Sequence, residues 1–135
     1  ELWLQPLAES THPLDRLIEF IGNLDSVLGG QIVLLGCPMN NLAQEMSPLD
    51  EGFRTRLDAL YQEWRAGIQC ALERAQQQGT IRADLNCAHV STFVLAALSG
   101  CIGVGKNTQS AQQLAICGAG LNDYLRSLRR TESHG

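Results

Sequence analysis

Residues from about Pro48 to Gln78 carry one uninterrupted amphipathic pattern, and a helix of that length sets the dimension of whatever folds around it. Phe53, Leu57, Leu60, Tyr61, Trp64, Ile68, Ala71, Leu72 and Ala75 recur at three- and four-residue steps, which puts them on one helical face. Arg54, Asp58, Gln62, Arg65, Gln69, Glu73 and Gln76 take the other face. At a rise of ~1.5 Å per residue the helix spans about 45 Å, the full length of a small domain. Ser47-Pro48 opens it: the hydroxyl is an N-cap candidate, Pro fits the first helical position, and Asp50 stands at the capping-box spacing. Gly79 supplies the stop.

The remaining elements are helical too. Glu9 to His12 is a polar connector, and Pro13 starts a helix with Asp15 in its first turn. Leu14, Leu17, Ile18, Ile21, Leu24 and Leu28 form a single stripe that Gly29-Gly30 ends. Gln31 to Leu35 is a short apolar run that could be a strand, but it has no partner strand, so a buried helical or irregular connection is preferred. Gly36 and Pro38 break that run, and Asn40 and Asn41 are then placed to cap a short helix carrying Leu42, Ala43 and Met46. Thr80 to Asn86 reads as a polar turn with Asn86 as the next N-cap. The helix from about Cys87 to Val104 is apolar nearly all round, so one face is predicted to meet the domain core and the other a second copy. Gly103 to Asn107 is expected as the following turn. The last helix, about Ser110 to Arg129, has Leu114, Cys117, Leu121, Leu125 and Leu128 at helical spacing, with Gly118 and Gly120 allowing close approach. The sum is an all-α bundle of about five helices plus the end of a sixth.

Several function classes find no support. The 135 residues suit one domain with one core. Net charge is −4 and Lys106 is the only lysine, so this chain has no basic patch with which to neutralise DNA phosphates. Charged residues make up 18% against the ~25% usual for soluble proteins, a thin polar surface that fits burial against another subunit. No segment reads as ~20 uninterrupted apolar residues, and the first residues lack a signal-peptide pattern, so no membrane contact and a cytoplasmic location are expected. The five cysteines show no C-x-x-C spacing, and His12, His89 and His134 stand at no metal-ligand interval from them; neither a metal nor a cofactor is expected. Cys70, Cys101 and Cys117 read as small buried hydrophobes, whereas Cys37, at an irregular turn, could touch a ligand or react. His89, with Asp84 before it and Ser91 two residues on, does not form a catalytic arrangement, because positions two apart on a helix diverge. Gly100-x-x-Gly103-x-Gly105 follows a helix rather than a strand and matches no phosphate-binding fingerprint.

The stretch Gly36-Cys37-Pro38-Met39-Asn40-Asn41-Leu42-Ala43-Gln44-Glu45 is similar to a Gly-Cys-(Pro or Leu)-x-x-Asn-Leu-Ala-x-Glu signature. That signature marks the short sixth helix before the long seventh in the C-terminal, effector-binding domain of one branch of the tetracycline-repressor (TetR) family of bacterial transcription regulators. The order and lengths of the helices fit the resemblance. The family's DNA-reading helix-turn-helix has no counterpart in these residues. The resemblance therefore implies that 1–9 end a linker helix from an N-terminal DNA-binding part, that 10–130 bind ligand and dimerise, and that 131–135 are a tail.

The resemblance also implies the site. An effector cavity would lie between the helices holding Leu17, Phe20, Ile21 and Leu24; Leu57, Tyr61, Trp64 and Ile68; and Phe93 and Ala97. Tyr61 and Trp64 are large apolar faces with one polar atom each, and Asn40 or Asn41 would help orient a ligand. Asn41 and Glu45 also have plain roles, as a cap and as a solvated helix residue. Two subunits would pack their last two helices as a four-helix bundle. Val90, Val94, Leu98 and Cys101 would contribute from one helix; Leu114, Cys117, Gly118, Leu121, Leu125 and Leu128 from the other. The implied partners are a second copy, a small and largely apolar effector, and operator DNA reached only through the N-terminal part. The implied output is repression relieved by the effector. The alternative from another class is a stand-alone helical dimer that binds a small apolar molecule or a protein without controlling DNA.

Overall fold

The computed structural model of the chain describes residues 3–27 and 30–131, and among them are eight helical segments, seven of them arranged around one long helix. They are α1 (Leu4–Glu9), α2 (Pro13–Gly22), α3 (Leu24–Val27), α4 (Ile32–Leu35), α5 (Pro38–Met46), α6 (Glu51–Gln77), α7 (Cys87–Thr108) and α8 (Ala111–Ser127). Glu1, Leu2, the expected stripe residue Leu28, Gly29 of the expected Gly-Gly stop and tail residues 132–135 lie outside the described residues.

The spine is α6. Its N-cap is Asp50, whose Oδ1 accepts the Phe53 N–H at 2.9 Å, and not the expected Ser47. Ser47 instead closes α5, because the N–H groups of Leu49 and Asp50 both bond back to the Met46 carbonyl and turn the chain before α6 begins. At the other end Gly79 takes φ +77°, and the Thr80 N–H reaches the Ala75 carbonyl at 3.0 Å. Ile68, Ala71, Leu72 and Ala75 are each at most 1% exposed and form the seam on which α1, α2 and α7 pack. Cys70 is exposed on the opposite side, not buried as expected.

Residues of α1 seat on α6 in two ways. A Cβ at Gly67 would lie 2.5 Å from Leu4 Cδ2, so α1 lies where α6 has no side chain. Arg74 then donates to the carbonyls of Leu7 and Ala8 at 2.6 Å and of Ser10 at 3.2 Å, satisfying orphan acceptors at the end of α1.

Three other boundaries differ from the sequence pattern. The helix expected over 14–28 breaks at Asn23, whose amide Nδ2 turns back to the Glu19 carbonyl at 2.9 Å and separates α2 from α3. Asn40 and Asn41 lie inside α5 rather than capping it, since Pro38 starts that helix. Gly103 to Asn107 is not a turn; α7 runs through it to Thr108, and Gln109 ends the helix in the left-handed region at φ 50°. Gly105 is accommodated because its backbone packs against α8, where a Cβ would stand 3.1 Å from Leu114 Cβ. By length and composition alone α7 passes as a membrane span, with a mean hydropathy of 1.8. Its contacts with α4, α6 and α8 make it a core helix instead. The expected caps Asn86 and Ser110 do bond the His89 and Gln113 N–H groups, at 3.1 Å each.

Arg74→Ala should cost about 1–3 kcal/mol of stability, because the carbonyls of Leu7, Ala8 and Ser10 lose a charged donor. Urea unfolding of the two proteins measures this, and an unchanged midpoint would show that α1 is held by apolar contact alone.

Candidate ligand-binding site

One set of polar groups converges where α5, α6 and α7 come together. Gly36 makes the geometry possible. Its φ is +68°, and a Cβ there would fall 2.8 Å from Lys106 Cδ and 3.3 Å from the side-chain amide atoms of Asn41, so glycine lets the α4–α5 turn close against both. Asn41 Nδ2 donates to the Leu35 carbonyl at 2.8 Å and fixes the turn. That holds Asn40 toward α6, where its Oδ1 accepts the Tyr61 hydroxyl at 3.1 Å.

Tyr61 meets Trp64 edge-on, with ring centroids 5.6 Å apart and planes at 82°. Both rings are half-buried against the core. Burial raises the Tyr61 pKa and the neighbouring Cys37 adds to the rise, while a hydrogen bond with Ser99 of α7 works the other way. Tyr61, Asn40 and Ser99 thus form a polar corner, with Cys37 nearby, beside an aromatic pair. Such a corner can orient a mostly apolar molecule by one or two polar atoms. Ser99 and Lys106 were not among the sequence candidates; both are polar positions in an otherwise apolar helix, which is the signal that marks them.

The other sequence candidates separate into groups. Leu17, Ile21, Leu24 and Ile68 are at most 3% exposed and belong to the packed core. Leu57, 4% exposed, is buried outside that main cluster, and Ala97 packs against the cluster half-buried. Phe20 points to α1, where it stacks on Trp3 with centroids 5.1 Å apart and planes 17° from parallel. Phe93 faces outward, 53% exposed, with its ring edge-on to Tyr124. A hollow of about 300 Å³ lies between α1 and α2, lined in part by Trp3, Leu7, Leu17 and Phe20. A larger, polar groove of about 640 Å³ lies at the pole formed by His12 to Asp15, Gln78 to Thr80 and Arg129 to Thr131. Neither includes Tyr61 or Trp64.

The residues expected at the dimer contact are likewise placed inside one subunit. Val90, Val94, Leu98, Cys101, Leu114, Leu121, Leu125 and Leu128 are at most 8% exposed, Gly118 is buried against α2, and Cys117 is half-buried. They face inward because α7 and α8 need their own seam before they can offer a second one. The open face is carried by Phe93, Val104 and Ile116, with Gly100, Gly103 and Gly120, where a Cβ would meet open space.

Because Tyr61 is held neutral in the folded state, its contribution is complete below its ordinary pKa of 10.0 and is lost as the pH climbs past it. Tyr61→Phe should cost about 1 kcal/mol at pH 8 through the unpaired Asn40 carbonyl. The same variant should show a shallower loss of stability above pH 10 than wild type in urea melts. Parallel pH profiles would show that the phenol is not coupled to the fold.

Residues 13–118 match the family described as Tetracyclin repressor-like, C-terminal domain. The chain is 31% identical over 93 residues to the HTH-type transcriptional repressor DhaR of Mycobacterium sp. (strain GP1), a match covering 69% of this chain and 45% of that protein. It spans a little under half the length of that relative. It also superposes on the crystal structure of a TetR transcriptional regulator from Chloroflexus aurantiacus J-10-fl with a TM-score of 0.79. That likeness covers 96% of this chain and 65% of the other at 23% identity, and at that identity it speaks to the fold.

Proposed function

The chain belongs to the tetracycline-repressor-like family as a C-terminal domain, and on that premise we propose that it senses a small, largely apolar effector and dimerises within a DNA-binding transcriptional repressor. The observation that carries the reading is the family match over residues 13–118. The relative from Mycobacterium, named as a transcriptional repressor, supports repression as the output. DNA contact belongs to a part of the protein outside these residues, the workplace is the cytoplasm, and no catalytic role is assigned.

The effector site in this reading is the corner of Asn40, Tyr61, Trp64 and Ser99. A ligand lies against the two aromatic rings, and the hydroxyl and amide orient it. α6 carries Tyr61 and Trp64 and also holds the end of α1 through Arg74, so a ligand that favours one position of α6 biases α1. The dimer in this reading forms through the open face of α7 and α8. Phe93 and Ile116 are more than half exposed there, and the three glycines let a second backbone come close. An obligate interface of this kind commonly buries over ~2,000 Å² in total.

Light scattering of this chain at micromolar concentration should give the mass of a dimer, and Phe93→Asp combined with Ile116→Asp should give a monomer. A stable wild-type monomer would overturn the dimer. Trp64→Ala should weaken binding of an effector, found by thermal-shift screening of small apolar molecules, by about tenfold or more, equivalent to ~1.4 kcal/mol. Calorimetric titration measures the affinity and thermal melts separate it from stability; equal affinity in both proteins would remove Trp64 from the site.

A further inference from the structure

We propose that Cys101 of α7 and Cys117 of α8 form a dithiol that a small-molecule disulfide closes into a covalent link between the two helices. Register places them together. α7 and α8 are antiparallel neighbours joined by Gln109 and Ser110, and the Cβ position of Gly105 lies 3.1 Å from Leu114 Cβ. One turn back along α7 from that contact is Cys101, and one turn onward along α8 is Cys117, so the two stand at the same level. Both are free thiols, and Cys117 is near enough to Cys101 to shift its proton equilibrium. Gly105 thins the contact one turn away, which favours the Cα separations of about 4.4–6.8 Å that a disulfide spans.

The two sulfurs have different parts to play. Burial first and then the charge of Cys117 push the Cys101 thiol up to about 11, so it stays protonated at neutral pH. Cys117 is half-buried and is the entry point. Its thiolate attacks one sulfur of the small disulfide, forming a mixed disulfide and expelling one thiolate, which takes up a proton. Cys101 then loses its proton to solvent, its sulfur attacks the Cys117 sulfur, and the second small thiol leaves. Two protein thiols are oxidised and one small disulfide is reduced to two thiols. The high pKa of Cys101 slows the closing step, and it also makes Cys101 a poor leaving group, so the closed link resists reduction. A second copy seated on the open face would shield Cys117, so exchange belongs to the separated subunit.

Peptide mapping tests this. The chain at sub-micromolar and at high micromolar concentration is incubated with oxidised glutathione, alkylated and digested with trypsin without reductant. Cleavage after Arg82, Lys106 and Arg126 puts Cys101 in peptide 83–106 and Cys117 in peptide 107–126. The expected product joins these two peptides, is reversed by dithiothreitol, and forms faster in the dilute sample. Cys101→Ser and Cys117→Ser should each abolish it, while Cys87→Ser, which removes the other thiol of peptide 83–106, should retain it. The closed protein should melt several degrees higher, because the link restricts the unfolded chain. Absence of the joined peptides at both concentrations overturns the proposal. So does their survival in Cys101→Ser, or a closed form that melts lower than the reduced one.

Discussion

The seam of Ile68, Ala71, Leu72 and Ala75 on α6 is the constraint to which the rest of the molecule answers. Two of the four are alanine, so helices can lie close along the spine, and the two larger side chains lock their level. α1 comes close enough that even Gly67 has no room for a methyl group. α7 lies along the same seam with Val94 fully buried, and it carries α8 with it. The first half of α6, from Glu51 to Leu60, leaves this seam; Leu57 is its one fully buried residue. Just past that half, Tyr61 takes the contact of α5 through Asn40. A rigid core half and a lightly covered half on one helix give a single element two mechanical characters.

The spine, the two long helices after it and their order were legible from periodicity, because each has more than four turns over which a stripe can declare itself. Short elements were less legible. Nothing in the apolar spacing of Leu14 to Leu24 shows that Asn23 will fold its amide back on Glu19 and break the helix. Ser47-Pro48 has every local mark of a helix start, but Asp50 takes that role once the Met46 carbonyl has drawn the Leu49 and Asp50 amides into a turn. Glycines at 103 and 105 looked like punctuation, since the pattern along one strand of sequence does not show that Leu114 will press against Gly105.

The candidate site was legible in part. Tyr61, Trp64 and Asn40 converge as the motif and the stripe suggested, but Ser99 comes from a helix whose apolar surroundings hid it. Phe20 and Phe93 have the right chemistry for a pocket and point elsewhere, one to Trp3 and the other to Tyr124. Periodicity identifies an inward stripe without saying which neighbour it meets. The same limit explains α7 and α8. Their regular stripes are the chain's own seam, and the open face is left to residues such as Phe93 and Ile116 that fall off the stripe.

The pole opposite the first half of α6 ties distant parts of the chain to one another. The Arg82 N–H bonds the Leu128 carbonyl and the Arg130 N–H bonds the Thr80 carbonyl, at 3.0 and 2.9 Å, with Ile81 buried between them. Arg129 also pairs with Asp15 across 114 residues of sequence. A C-terminal helix ordinarily frays from its last turn inward, exchanging its amides independently of the rest. Here the last turn of α8 is stitched to the start of α2 and to the α6–α7 connection. Opening it means opening all three, so the amides at this pole belong to one cooperative unit, and slow hydrogen exchange should reach to within a few residues of Arg130.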